Sequence, residues 1–97
     1  MARTASPLLT SPDNDRVFAL FFEANGLAAA GREPYASLVP SLVAGWIDWA
    51  ASLMAGTPAQ REAQAEGAIA TIEGLFLLRL LAGSTTAIRA AATLGIA

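Results

Sequence analysis

Apolar positions recur with the period of an α-helix along most of this chain, and turn-forming residues divide them into four segments. Pro40 lies inside the second segment, where it cannot donate a hydrogen bond to Ala36, so that helix should bend or effectively begin there. No alternating strand pattern or internal repeat occurs, and the sequence therefore predicts an all-α fold. The four predicted helices run from about Pro12 to Ala30, Glu33 to Ala55, Pro58 to Ala82, and Ser84 or Thr85 to Leu94.

The sharpest predicted boundary is Thr57-Pro58-Ala59-Gln60. Thr57 can cap the third helix, proline suits a first turn, and the Gln60 side chain can reach back in a capping box. At the other end of this helix, Gly83 supplies a left-handed residue that stops it, and Ser84 or Thr85 is expected to cap the fourth helix.

The third predicted helix carries two apolar stripes when its residues are placed about 100° apart. One, the small-residue stripe, consists of Ala63, Gly67, Ala70, Gly74, Leu77 and Leu81. The other lies nearly opposite and consists of Ala65, Ala68, Ile69, Ile72, Leu75 and Phe76. A helix with one buried face would not need both, so we expect the third and fourth helices of two subunits to form a four-helix bundle along the small-residue stripe. The alternative is that the chain's own fourth helix covers it.

Bulky aromatic residues concentrate in the first two predicted helices. Side chains of this size either fill a core or line an apolar pocket for a small molecule. The pocket candidates are Phe18, Phe22, Tyr35, Trp46, Trp49, Ile72 and Phe76.

Two charged residues stand among apolar neighbours. Asp48 is expected on a solvent-facing strip beside Ser41 and Ser52, and the alternative is an inward position as a ligand contact. Arg79 is expected to lay its stem on apolar surface with its guanidinium in water near the end of the helix. The alternatives are a salt bridge across an interface or a charge at a pocket edge.

Composition narrows the possible functions. The chain is 55 % hydrophobic and 14 % charged, against about 25 % charged in an average soluble domain, so some apolar surface should be committed to a partner. Without histidine or cysteine, the chain has no histidine metal site and no Ser-His or Cys-His pair. We therefore expect no enzyme activity, catalytic residue, metal or cofactor. The six arginines are scattered, so the chain alone should not bind nucleic acid.

Residues 1–11 are predicted to be an irregular tail and residues 12–97 one helical domain. No apolar run is long enough for a signal peptide or a membrane span, which predicts a cytoplasmic protein that does not enter membranes.

Three stretches resemble the C-terminal ligand-binding domain of TetR-family transcriptional regulators: Val17 to Ala30, Arg32 to Met54 and Ala68 to Leu81. In the last, an acidic residue and a glycine precede a leucine-rich run (Glu73-Gly74-Leu75-Phe76-Leu77-Leu78), in the style of the family's penultimate-type helix. The resemblance implies a homodimer formed by the last two long helices and an apolar effector cavity in each subunit. Nothing before residue 12 matches the family's helix-turn-helix head.

The sequence therefore predicts an effector-binding and dimerisation domain of a TetR-like transcriptional regulator, with no DNA-binding head in this chain. The alternative is a structural helical dimerisation protein with a filled core and no ligand.

Overall fold

The computed structural model describes residues 11–96, and all the regular secondary structure among these residues is helical. A 3₁₀ turn, Pro12–Asn14, leads into α1 (Asp15–Ala29), followed by α2 (Tyr35–Ala51), α3 (Pro58–Ala82) and α4 (Ser84–Thr93). The predicted all-α fold with four helices is confirmed. Residues 1–10 of the predicted tail lie outside the described residues.

Side chains cap two helix starts, and the second of these caps is the predicted one. The Ser11 hydroxyl accepts a hydrogen bond from the Asp13 amide at 3.3 Å, which caps the 3₁₀ turn ahead of α1. At α3, the Thr57 amide donates to Gln60 Oε1 at 2.9 Å, and the Gln60 amide donates to Thr57 Oγ1 at 3.2 Å. These reciprocal bonds form the predicted capping box, because each side chain satisfies an amide that the helix leaves open.

Helix α2 differs from its prediction at both ends. It begins at Tyr35, where the Glu33 carboxylate accepts from the Ser37 amide at 2.9 Å, and it continues through Pro40, so a start at Pro40 is excluded. It ends at Ala51 rather than near Ala55. Beyond it the chain makes tighter i→i−3 hydrogen bonds, and Ser52 Oγ donates to the Trp49 carbonyl at 2.5 Å. A serine hydroxyl that takes a backbone carbonyl competes with continuation of the helix.

Helices α3 and α4 are joined by one residue, Gly83, whose φ of 93° suits glycine. The predicted end of α3 at Ala82 is confirmed, but the prediction that Ser84 or Thr85 caps α4 is wrong. Gly83 occupies the cap position without a side-chain bond, and Ser84 Oγ accepts from Arg79 instead.

The chain divides into two units, which we call the terminal unit (Met1–Phe22 with Glu73–Ala97) and the middle unit (Glu23–Ile72). The terminal unit has an apolar core in which the Phe18 and Phe76 rings stack with centroids 4.0 Å apart. The fully buried members of this core are Leu75, Phe76, Ala87 and Ala91.

The middle unit contains α2 and the first part of α3. Its buried positions are alanines, Ala50 on α2 and Ala65 on α3. Its larger side chains Leu38, Leu42 and Trp49 are exposed. The most deeply buried positions of the middle unit are therefore small residues, and several of its large side chains are exposed.

Candidate interaction surfaces

The small-residue stripe of α3 is open along its whole length. Leu77 is 39 % and Leu81 76 % exposed, and the four smaller members are exposed as well. A Cβ atom added at Gly67 or Gly74 would meet no atom within 4 Å outside the local helix backbone. The alternative in which the chain's own fourth helix covers the stripe is therefore contradicted at Gly74, Leu77 and Leu81, which belong to the same unit as that helix. The predicted dimer contact itself stays a prediction.

The opposite face of α3 is buried. Ala65, Leu75 and Phe76 are at most 7 % exposed, and at about 100° per residue all three lie roughly 120 to 220° from the small-residue stripe. The second predicted stripe is therefore buried at these three positions. Ile72 belongs to the same stripe but is 49 % exposed. One helix presents a packed side and an uncovered side.

Arg79 is the charged residue on the buried side of α3, and it is only 8 % exposed. Its Nε donates to Asp15 Oδ1 at 2.8 Å, and its Nη2 donates to Asp15 Oδ2 at 3.1 Å and to the Ser11 carbonyl at 2.9 Å. Nη1 donates to Ser84 Oγ. The expectation that the guanidinium lies in water is wrong, because a two-pronged carboxylate contact compensates its loss of hydration.

The helical periodicity of the sequence could have predicted that Arg79 lies on the buried face of α3. Arg79 follows Leu75 by four residues and Phe76 by three, so it shares their face. The sequence around Arg79 does not identify its partner, because Asp15 is 64 residues away along the chain.

The pocket candidates divide between the two units. Phe18, Phe22 and Phe76 come together in the terminal core, where the 4.0 Å stack leaves no space for a molecule between the rings of Phe18 and Phe76. In the middle unit Tyr35 is 38 % and Trp49 65 % exposed, and Trp46 is partly buried. A single pocket that uses all seven candidates stays a prediction.

An open cleft of about 260 Å³ lies at the turn between α2 and α3 in the middle unit. It contains none of the pocket candidates, and its lining combines apolar surface with the charged residues Asp48, Arg61 and Glu62. Asp48 is exposed beside Ser52, as predicted for a solvent-facing strip. The lining residues are Asp48, Ala51, Ser52, Pro58, Arg61 and Glu62.

Glu73 is a partly buried acid on α3. Burial raises the pKa of its carboxyl group, and Oε1 is buried with no hydrogen-bond partner in the described part of the chain. An unpaired buried oxygen favours the protonated form, so this group resists ionisation.

Among residues 11–96, no helix is long and apolar enough to cross a membrane. In the same residues, no group of acidic side chains is arranged to hold a metal ion.

Comparison of the chain with models of known protein families, with curated proteins and with solved structures finds no match. The resemblance to the TetR C-terminal domain therefore stays a prediction.

Proposed function

We propose that this chain is a helical homodimerisation domain, in which two copies associate along the small-residue stripe of α3. The observation that carries the proposal is the open space at Gly67 and Gly74 on a helix whose opposite face is already packed.

The cost of these glycines supports close helix packing. Each glycine inside a helix costs about 1 kcal/mol relative to alanine, and the described chain gains no contact from either. Glycine and alanine at spacings of three and four let a second backbone approach to about 8 Å between helix axes. Leu77 and Leu81 on the same face would then lose water contact, which is worth about 25 cal/mol per Å².

The test is sedimentation analysis of the double variant Gly67→Leu, Gly74→Leu. Both positions are exposed and have room for a Cβ atom in the isolated chain, and leucine improves helix propensity, so circular dichroism should show helix content at least equal to that of the wild type. Between two packed helices the same side chains clash, and the association step through α3 should disappear.

Gly26→Leu is the matched control, because a Cβ there also meets nothing and the residue lies on α1. It should leave association unchanged. A wild type that stays monomeric at high concentration, or a double variant that associates like the wild type, would overturn the proposal.

Effector binding in a TetR-like regulator is the second candidate function. The cleft at the α2–α3 turn favours it, and the charged residues Asp48, Arg61 and Glu62 in its lining suit a small compound that carries a charge as well as apolar surface. Thermal-shift screening with small amines and amino acids tests it, with Asp48→Asn as the control. A stabilising compound that loses its effect in this variant would support the effector role, and a screen without one would count against it.

A further inference from the structure

Helix α2 carries a second uncovered apolar face, which we call the α2 ridge: Tyr35, Leu38, Leu42, Gly45 and Trp49. These residues recur at spacings of three and four, so they share one face of the helix. The four side chains are 38 %, 62 %, 47 % and 65 % exposed in chain order, and a Cβ at Gly45 would meet nothing within 4 Å. No charged residue belongs to the ridge.

The ridge is additional to the face that α2 packs within the middle unit. The packed face carries the buried and partly buried residues Ala36, Val39, Val43, Trp46 and Ala50. At about 100° per residue the two faces together form an apolar arc of roughly 200°, whereas one buried face needs only about 100° or somewhat more. Half of the apolar arc of α2 therefore has no partner within its unit.

We propose that the α2 ridge binds the α2 ridge of a second copy of this chain, with the two helices antiparallel. The two-fold axis passes midway between Leu42 and Gly45, and it sets each Leu42 opposite the partner's Gly45. The same axis sets each Leu38 opposite the partner's Trp49.

Self-complementarity is the reason for choosing a second copy. Leu42 is a projecting side chain and Gly45 a gap, one helical turn apart on the same face. A two-fold axis between them fills both gaps with both leucines, as isologous interfaces require. A generic apolar partner would need a matching leucine and gap of its own.

The area of the ridge also matches a two-copy interface. At the stated exposures, its four side chains present on the order of 450 Å² of surface, most of it apolar. A stable interface covers about 800 Å² on each partner, and slightly more than half of that is apolar. The ridge thus supplies about the apolar area that one side of such an interface needs.

This interface is independent of the small-residue stripe. A chain with two different two-fold interfaces forms a tetramer when the assembly closes. If both proposals hold, the wild type forms a tetramer, and a variant that loses one interface forms a dimer.

Cysteine cross-linking tests the register directly, because the chain has no cysteine of its own. Equimolar Leu42→Cys and Gly45→Cys chains, mixed and mildly oxidised, should form the mixed disulfide in preference to either homodimer. The control mixture is Ala44→Cys with Gly45→Cys, since Ala44 is exposed and lies about 160° around α2 from Leu42, and it should cross-link weakly. Equal yields from the two mixtures would overturn the proposal, as would preferential Leu42→Cys homodimers, which indicate parallel helices.

Sedimentation separates the ridge from the stripe. Leu42→Glu should weaken one association step by roughly 30-fold or more, whereas Ala44→Glu, at an exposed position away from the ridge, should not. In the Gly67→Leu, Gly74→Leu background, Leu42→Glu should reduce dimers to monomers. An unchanged assembly in Leu42→Glu, with circular dichroism showing retained helix, would overturn the ridge proposal and leave the stripe proposal standing. The stripe proposal has its own test, because it is overturned if the double variant Gly67→Leu, Gly74→Leu associates like the wild type.

Discussion

The terminal and middle units bury different kinds of side chain. The terminal unit stacks Phe18 on Phe76 and contains the Arg79–Asp15 ion pair, in which Arg79 is buried and Asp15 is 41 % exposed. The middle unit buries Ala50 and Ala65 and turns Trp49, its most exposed aromatic side chain, outward. Side-chain size alone therefore does not decide burial here. The most deeply buried positions of the terminal unit include the large residues Leu75 and Phe76, whereas those of the middle unit are alanines. Both units also expose large apolar side chains, such as Leu81 in the terminal unit and Trp49 in the middle unit.

The largest expected effect tests this difference with one aromatic residue from each unit. Phe76→Ala should lower the free energy of unfolding by about 3–5 kcal/mol, because Phe76 is 7 % exposed and stacked in the core. Trp49→Ala should cost less than about 1 kcal/mol in urea unfolding at a concentration where the chain is monomeric, because 65 % of Trp49 is already in water. Equal losses of unfolding free energy in the two variants would contradict the difference between the two units.

Removal of the buried cation comes next. Arg79→Met should cost about 2–3 kcal/mol, because it leaves Asp15 and the Ser11 carbonyl without their donor. The loss stays below that of a fully buried pair, since the Asp15 side chain is 41 % exposed and can take up water. Arg89→Met, at an exposed position on α4, is the control and should change urea unfolding by no more than about 0.5 kcal/mol. A loss in Arg79→Met as small as in this control would contradict the structural role.

A smaller effect is expected at the start of α3. Thr57→Ala should lower the free energy of unfolding by about 1 kcal/mol, because it removes one bond of the capping box. Thr85→Ala in α4 should stay within about 0.5 kcal/mol, since no side chain caps that helix. Thermal unfolding of the two variants at one protein concentration makes the comparison, and a larger loss for Thr85→Ala would reverse it.

The smallest effect concerns Glu73 and has a defined pH dependence. The folded state raises the pKa of Glu73, so it binds more protons than the unfolded chain, and stability falls as pH rises through the raised value. Glu73→Gln should therefore be slightly more stable than the wild type at neutral pH, by a few tenths of a kcal/mol for this partly exposed group. The difference should vanish below the ordinary pKa of glutamate, about 4.3. Urea titrations across this range would contradict the assignment if the difference grew towards acid pH.

Local signals in the sequence predicted most helix ends well. Thr57 and Gln60 carry their capping partners within three residues, and Gly83 needs only its own backbone to stop α3. The end of α2 was missed because Leu53 and Met54 continue the apolar pattern, while the competing Ser52–Trp49 bond adds no apolar signal.

The interaction surfaces could be predicted only in part. Periodicity predicted the packed face of α3 at Ala65, Leu75 and Phe76, because a helix face is a local property of spacing, whereas the contact at the small-residue stripe stays a prediction. It did not find the partner of Arg79, since pairing across 64 residues depends on packing. Nor could it decide that Trp49 faces outward and Trp46 inward, because both belong to one apolar arc of α2.

The 64-residue separation within the Arg79–Asp15 pair also sets an order of folding. The middle unit is contiguous in sequence, so its helical hairpin can form as soon as residues 23–72 have been synthesised. The terminal unit joins α1 to segments that follow residue 72, and its ion pair cannot close until Arg79 has left the ribosome. Throughout that interval the rings of Phe18 and Phe22 lack the core that residues after Ile72 complete.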